Sequence, residues 1–394
     1  MRVLILNDGV SDVGGVQAYL DRVIPAIELR GHSVAIAYCS DSGSDEAAGV
    51  SRRLPRFRFT QDQSTDTLAG IRRWAPDVCF AQNMRDLDIE AALGRIAPIV
   101  KFMHGYFGTC VSGQKMHGFP GSAVCDRTFG LACAALFLPR RCGQASPSAL
   151  VSGWRWAVKQ QSQFDRYAAI VVASDHMRRE FTRHGCPPSR VHVNELFPTN
   201  IDEARPSPVP AESTVVFMGR MTALKGGDVL IRAACRAAER LGHAVSITMI
   251  GDGPQKREWE ALAHRLKVEA FFTGWINGDG RWTHVRNASV VALPCRWPEP
   301  FGLVGLEAGA LGVPAVAVST GGISQWLTDG VNGVAIPPPA DERTFGDALA
   351  RVLGDRAQLA ALRAGAYRVA TSKTVTDHVD RLDRLFQAVA TRSC

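Results

Sequence analysis

What the sequence lacks sets aside several large function classes. No window of its 394 residues is apolar for the length of a membrane span. The opening MRVLILNDG reads as a buried strand, without the cationic start and cleavage site of a signal peptide, so a cytoplasmic location is expected. No G-x-G-x-x-G follows that strand: the loop GVSDVGG does not supply one, which argues against a dinucleotide-binding oxidoreductase. Basic residues fall in short pairs (Arg52-Arg53, Arg72-Arg73, Arg140-Arg141, Arg178-Arg179) and never in a run interleaved with aromatics. No helix-turn-helix or RNA-binding signature is present either, so nucleic acid is not an expected partner. The net charge of +7 leaves peripheral contact with an anionic membrane surface open.

An Asp-x-Asp at a strand end, the mark of a metal-dependent transferase, is also wanting. Asp86-Leu87-Asp88 has the letters but lies five residues past the strand VCFA, in a helix-like context.

What is present is a chain too long for one ordinary core, 46% apolar and 21% charged, as in soluble globular proteins. Short apolar strands alternate with amphipathic helices throughout. After RVLILND, the residues Val16, Tyr19, Leu20, Val23, Ile24 and Ile27 recur at helical spacing. Such alternation predicts an α/β protein with parallel sheets covered on both faces. A proline-containing stretch, residues 199–213, reads as a linker. It divides a domain over residues 1–198 from one over 214–373, and a helix over 374–394 is expected to pack back on the first domain. Two doubly wound domains in tandem would face a central cleft lined by strand C-terminal ends, where ligands bind in open parallel sheets.

The stretch EPFGLVGLE sets Glu299 and Glu307 around the expected start of a helix. Pro300 disfavours helix at Glu299, so the helix begins near Gly302 or Leu303, and its unpaired N–H groups make an anion site. Two carboxylates would repel a phosphate and suit hydroxyls. A diphosphate on the helix start with sugar hydroxyls at each end satisfies all three features, although Glu307 as a helix-stabilising acid and Glu299 as a solvated one is an equal reading of these nine residues. The loop GRMTALKGG adds Arg220 and Lys225 at another strand end, two cations able to neutralise a diphosphate leaving group without a metal. The turn GDGP, from Gly251, follows a third strand of the same sheet.

With these residues the chain resembles the retaining nucleotide-sugar glycosyltransferases of family 4, which have the GT-B fold of two Rossmann-like domains. The resemblance runs through Gly14-Gly15, RGHSV, His104, GR and KGG, GDGP and EPFGLVGLEAGALGVP. It implies that Arg220 and Lys225 hold the donor diphosphate and that Glu307 bonds the ribose. Glu299 would bond the transferred sugar, and the backbone of Phe301, Gly302 and Leu303 the sugar and phosphate. His104 would contact the donor sugar near the reacting carbon. Gly14 and Gly15 are candidates to face the donor phosphate, and the loop at Gly274-Trp275 to meet the base. The implied donor is a UDP- or GDP-linked sugar, the acceptor a carbohydrate, a lipid-linked glycan or a small molecule, and no cofactor is required. Two positions depart from the family pattern: Cys295, where serine is usual, and Gln325, where glutamate is usual.

A long insertion, residues 110–142, carries Cys110, Cys125, Cys133 and Cys142. Their wide spacings hold no C-x-x-C pair, so a zinc signal is weak. A metal or disulfide staple is weighed slightly ahead of independent buried thiols, with His117 as an optional ligand. Because the insertion follows His104, an acceptor-binding role is expected for it. Two rival readings remain: a glycoside hydrolase using Glu299 and Glu307, and a non-catalytic nucleotide-sugar or membrane-surface binding protein.

Overall fold

A computed structural model of the chain describes residues 1–9, 14–39, 53–60, 62, 64–144, 146–276 and 278–391. Arg52, the loop residues 10–13 and the last three residues of the expected C-terminal helix lie outside these. The chain divides into two units. The first comprises Met1–Lys115, Asp126–Glu195 and the segment from Thr374; the second comprises Met116–Cys125 and Leu196–Lys373.

In chain order the earlier strands are β1 (Arg2–Leu6), β2 (Ser33–Tyr38), β3 (Arg56–Arg58), β4 (Val78–Ala81), β5 (Ile99–Met103), β6 (Met116–His117), β7 (Ala123–Val124), β8 (Ala169–Val172) and β9 (Val191–Val193). All but the antiparallel pair β6 and β7 form one parallel sheet, ordered β3-β2-β1-β4-β5-β8-β9. Its strands are continuous apolar runs because both faces are covered: Val3, Leu4, Ile5 and Leu6 are all wholly buried. The order reverses beside β1, which places the ends of β1 and β4 at the switch point where such sheets take ligands.

The second unit repeats this plan with β10 (Thr214–Met218), β11 (Ser246–Ile250), β12 (Ala270–Gly274), β13 (Val290–Leu293), β14 (Ala315–Val318) and β15 (Gly333–Ile336). Their order is β12-β11-β10-β13-β14-β15, parallel throughout. The helix Gly227–Leu241 buries Val229, Leu230, Ala233, Ala234 and Ala237 on one stripe against this sheet, with Arg232 and Arg240 on its exposed side. Both units are therefore Rossmann-like, as the strand and helix alternation predicts.

Within the first unit the helix Val375–Ala390 buries Val379, Leu382, Phe386 and Val389. His378 bonds the Tyr19 hydroxyl at 2.8 Å, Phe386 meets Phe80 edge to face, and Arg30 pairs with Asp380 at 2.6 Å. The segment read as a linker is held to the second unit. Ser207 N–H donates to Leu311 O at 3.1 Å, and the Arg363 guanidinium donates to Ser207 O, so the stretch is fixed to the second unit along its length.

Candidate functional site

In the second unit the loops at the C-terminal ends of β10, β11 and β12 are stitched together by backbone bonds. Met221 N–H donates to Asp252 O at 2.8 Å, Gln255 N–H to Met221 O at 3.1 Å, and Gly251 N–H to Gly274 O at 3.0 Å. The contact requires glycine at 251, because a Cβ there would stand 2.1 Å from Gly219 O. The loop after β13 is tied in as well: Arg296 N–H donates to Leu224 O at 2.8 Å, and its guanidinium grips Asp228 with two bonds of 2.9 and 2.6 Å. GR, KGG, GDGP and the approach to EPFG thus form one connected rim.

On this rim Arg220 is exposed, and among the described residues its guanidinium has no hydrogen-bond or ion-pair partner. Lys225 is paired: its Nζ donates to Oε1 of Glu299. The same oxygen accepts from the Trp297 indole at 2.8 Å and from the Cys295 thiol at 3.2 Å, and the Lys225 ammonium sits 5.4 Å above the Trp297 ring. Burial pulls the lysine pKa down most, but the Glu299 charge, Cys295 and the hydrogen bond to Glu299 together outweigh it, and the value ends above the usual one. The Cys295 thiol is pushed well up, first by burial and then by Glu299, so it stays protonated and acts as a donor.

The helix starts where the sequence predicts: Gly302 precedes Leu303–Ala310, and Glu307 is one turn in. Glu307 Oε1 accepts from the Thr199 hydroxyl, and Asn200 Nδ2 donates to Glu307 O at 3.1 Å. Burial raises this carboxyl's pKa, opposed by the Thr199 bond and by Arg281. The loop 298–301 is clamped from the far side. Gly322 N–H donates to Glu299 O at 2.6 Å, and the Trp326 indole donates to Phe301 O at 2.7 Å. Gln325 is half-buried in the short turn Ile323–Gln325 between these two contacts. Trp275 is half-exposed after β12.

In the first unit His104 follows β5. Its ring stacks on Phe102 at 4.5 Å, and its Nε2 bonds Gln82 Oε1 at 2.7 Å. Burial, then the charges of Lys101 and His378, hold its pKa down to about 3, so the ring is neutral at ordinary pH and Nε2–H donates to the glutamine. Among the described residues the buried Gln82 Nε2 has no hydrogen-bond partner. Both side chains line a cavity of about 380 Å³ with Met84, Lys101, Phe107 and Trp156. Gly14 and Gly15 are exposed at the start of the helix Gly15–Glu28.

The expected cysteine staple is not formed. Cys110, Cys125, Cys133 and Cys142 are all unbridged, and among the described residues no group of three or more His, Cys, Asp or Glu is placed to hold a metal. His117 lies on β6 and joins no such group. Other contacts fix the insertion. Lys115 Nζ pairs with Glu180 at 2.9 Å and donates to Arg127 O at 2.6 Å, Phe129 N–H donates to His184 Nε2 at 2.9 Å, and Phe129 packs on Trp154. Asp86 proves to be a helix cap, accepting from Asp88 N–H and Ile89 N–H, while Asp88 pairs with Lys159.

Sequence reasoning passed over Trp297, Thr199 and Gln82, each a direct partner of a singled-out residue. Gln82 directly follows β4, so the strand-end argument that found His104 would have found it too.

Comparison with known proteins places this geometry in a wider group. The family model described as Glycosyl transferases group 1 matches residues 200–369, and that described as Glycosyltransferase Family 4 matches residues 13–195. An uncharacterized glycosyltransferase of Methanocaldococcus jannaschii is 37% identical over 147 residues, so the chain spans only 36% of that relative's length, and 36% of its own. A GDP-mannose-dependent alpha-(1-6)-phosphatidylinositol monomannoside mannosyltransferase of Mycobacterium tuberculosis is 26% identical over 398 residues, 94% of each chain. The crystal structure of Anabaena HepE in complex with UDP-glucose superposes with a TM-score of 0.70 at 20% identity, covering 98% of this chain and 100% of that one. The shared fold is GT-B.

Proposed function

The chain belongs to the group 1 and family 4 glycosyltransferases, and on that premise we propose that it is a retaining, metal-independent hexosyltransferase. It moves a sugar from a nucleoside-diphosphate donor to an acceptor hydroxyl in glycan, polysaccharide or glycoconjugate biosynthesis. The observation that carries this reading is the connected rim of the second unit, which gathers Arg220, Lys225, Glu299 and the start of the Leu303–Ala310 helix at one edge of one sheet.

In this reading Arg220 and Lys225 stabilise the departing diphosphate, supplying the positive charge that a divalent ion would otherwise bring. The backbone at Gly251 and at Phe301, Gly302 and Leu303 meets the phosphates and sugar, Glu307 the ribose and Trp275 the base. Gly14 and Gly15 add phosphate contacts. Glu299 presents its remaining oxygen to the sugar hydroxyls. His104, neutral and fixed by Gln82, belongs to the catalytic group as a hydrogen-bonding residue that brings no charge. This reading assigns no side chain as a nucleophile and has the acceptor attack from the face the diphosphate leaves, which retains configuration. Gln82 Nε2, without a hydrogen-bond partner among the described residues, offers the acceptor a donor inside the cavity beside His104.

The names of the relatives make UDP- and GDP-linked sugars the first donors to test. Either a carbohydrate or a lipid-linked acceptor fits the same chemistry. A hydrolase built on Glu299 and Glu307 has less support, since Oε1 of each is already engaged, by Lys225 and Thr199, and hydrolysis needs no cationic rim.

The deciding experiment is calorimetric titration of UDP, GDP and ADP into the wild type and Glu307→Ala. One nucleotide binding to the wild type and roughly 10-fold or more weaker binding to the variant is the expected outcome. No binding to either protein overturns the donor site. Nucleotide release that rises when acceptors are added then separates a transferase from a silent binder.

A further inference from the structure

We propose that the acceptor ends in a neutral sugar ring, held in the cavity beside His104 with its apolar face on Trp156. The inference rests on the transferase reading above and narrows it: phosphorylated, uronic and amino sugars are poor acceptors.

The walls set the shape. Trp156 is half-buried, and its indole N–H donates to Arg85 O at 3.1 Å, which orients the ring. Phe107 meets it edge to face, with ring centres 5.4 Å apart. Phe107 in turn fits because Gly105 and Gly113 leave it room: a Cβ on either would press on its ring at 3.2 or 3.0 Å. The electron-rich face of an indole attracts the weakly positive C–H bonds on one side of a pyranose. At about 380 Å³ the cavity is at the small end of ligand sites, which suits one terminal unit better than a longer stretch of glycan.

The charges set the class. None of the described residues lining the cavity is acidic, so nothing there would pair with an ammonium. Its cations are already matched. Lys101 Nζ donates to the buried Glu90 at 2.6 Å, and the other Glu90 oxygen accepts from the Tyr167 hydroxyl. The Arg85 side chain is 86% exposed and faces Asp8 at 3.7 Å. A phosphate or carboxylate entering the cavity would have to draw Lys101 from Glu90 and strand that acid. The polar groups left for a ligand are uncharged. Gln82 Nε2 is a buried donor with no hydrogen-bond partner among the described residues, and the Asn83 amide lines the cavity from an exposed position. His104, neutral and donating through Nε2 to Gln82, can only accept at Nδ1. Uncharged donors and acceptors beside an aromatic wall are what sugar hydroxyls and ring C–H groups require.

The test is saturation-transfer NMR on the full chain, with and without nucleotide. The probes are the methyl glycosides of glucose, mannose and galactose, with the uronate and amino counterpart of each. At least one neutral glycoside is expected to bind, its ring C–H protons saturated most, and its charged counterparts to bind ~10-fold more weakly. Trp156→Ala should abolish the signal, and Trp156→Phe, which keeps an aromatic face, should retain part of it. Arg85→Ala should leave it unchanged. Melting temperatures check that each variant folds. A charged glycoside that binds better than its neutral parent overturns the proposal. So does a signal that survives Trp156→Ala at full strength or is lost in Arg85→Ala. Calorimetric titration of UDP and GDP tells this proposal from the reading it rests on. Nucleotide binding without any neutral glycoside overturns the neutral acceptor alone, and glycoside binding without nucleotide overturns the donor site alone.

Discussion

Lys225 and Glu299, the cation assigned to the diphosphate and the acid assigned to the sugar, are bonded directly to each other. Each therefore positions the other. The ammonium stays close to the rim because the carboxylate holds it, and the carboxylate accepts burial because the ammonium, the Trp297 indole and the Cys295 thiol all donate to one of its oxygens. A phosphate arriving at Lys225 shares the cation with Glu299, and the other carboxylate oxygen remains for a ligand hydroxyl.

Lys225→Met leaves a carboxylate that is only 6% exposed with two neutral donors and no counter-charge. A stability loss of ~1–3 kcal/mol is expected, held down by the partial exposure of the ammonium. Lys225→Met/Glu299→Gln should recover part of it, because the stranded charge is gone. Urea denaturation of the four proteins gives the coupling, and strictly additive losses would show that the pair contributes nothing jointly.

Glu307→Gln separates binding from folding. Burial raises the Glu307 pKa, so its ionised form opposes the fold increasingly as pH rises through that raised value. A neutral glutamine still accepts from Thr199 and removes this cost. The variant should melt at the same temperature as the wild type or higher, yet bind its nucleotide more weakly, by ~1–3 kcal/mol. A variant that loses stability and keeps its affinity would make Glu307 a structural acid only.

Gly322→Ala probes the clamp on the sugar-facing loop. A Cβ at 322 would lie 2.1 Å from Pro300 O and 2.8 Å from Phe301 Cα, so the loop must move while the sheet beneath it need not. Overpacking of this kind costs ~1–3 kcal/mol. The expected result is a folded protein whose donor affinity falls by more than its stability does, read by calorimetry beside thermal melting. Unchanged affinity would mean that the position of the loop does not matter to the donor.

What could be read from the sequence follows from what is local. Strands β10, β11 and β13 announce themselves as apolar runs, and the residues just past each run must share one edge of a parallel sheet, so Arg220, Gly251 and Glu299 could be grouped beforehand. The helix start at Leu303 was fixed by Pro300 and Gly302. Partners were not legible, because they come from distant parts of the chain: Lys225 meets Glu299 across 74 positions and Thr199 meets Glu307 across 108. Thr199 was hidden further because the proline-containing stretch after it has no apolar period. The cysteines misled for the opposite reason. Their number suggested a staple, whereas the insertion is fixed by Lys115, His184 and Phe129, whose partners are backbone groups and an acid far along the chain.

Acid should weaken the first unit through two buried histidines. His104 is held down to about 3, by burial and then by Lys101 and His378, and His378 to about 4, by burial and then by Arg381 despite its bond to Glu195 O. The unfolded chain takes up these protons near the ordinary histidine value of ~6.5, whereas the folded chain takes them up only far lower. Stability is therefore complete above that value and declines as pH falls from ~6.5 toward about 4, by at most ~1.4 kcal/mol per pH unit for each histidine. His378→Gln keeps a hydrogen-bonding group beside the Tyr19 hydroxyl and removes one titration. Its stability at neutral pH should fall somewhat, while the slope of stability against pH between 6.5 and 4 should lose about half its histidine component. Chemical denaturation across that range measures both quantities, and an unaltered slope would show that His378 already carries its proton in the folded protein.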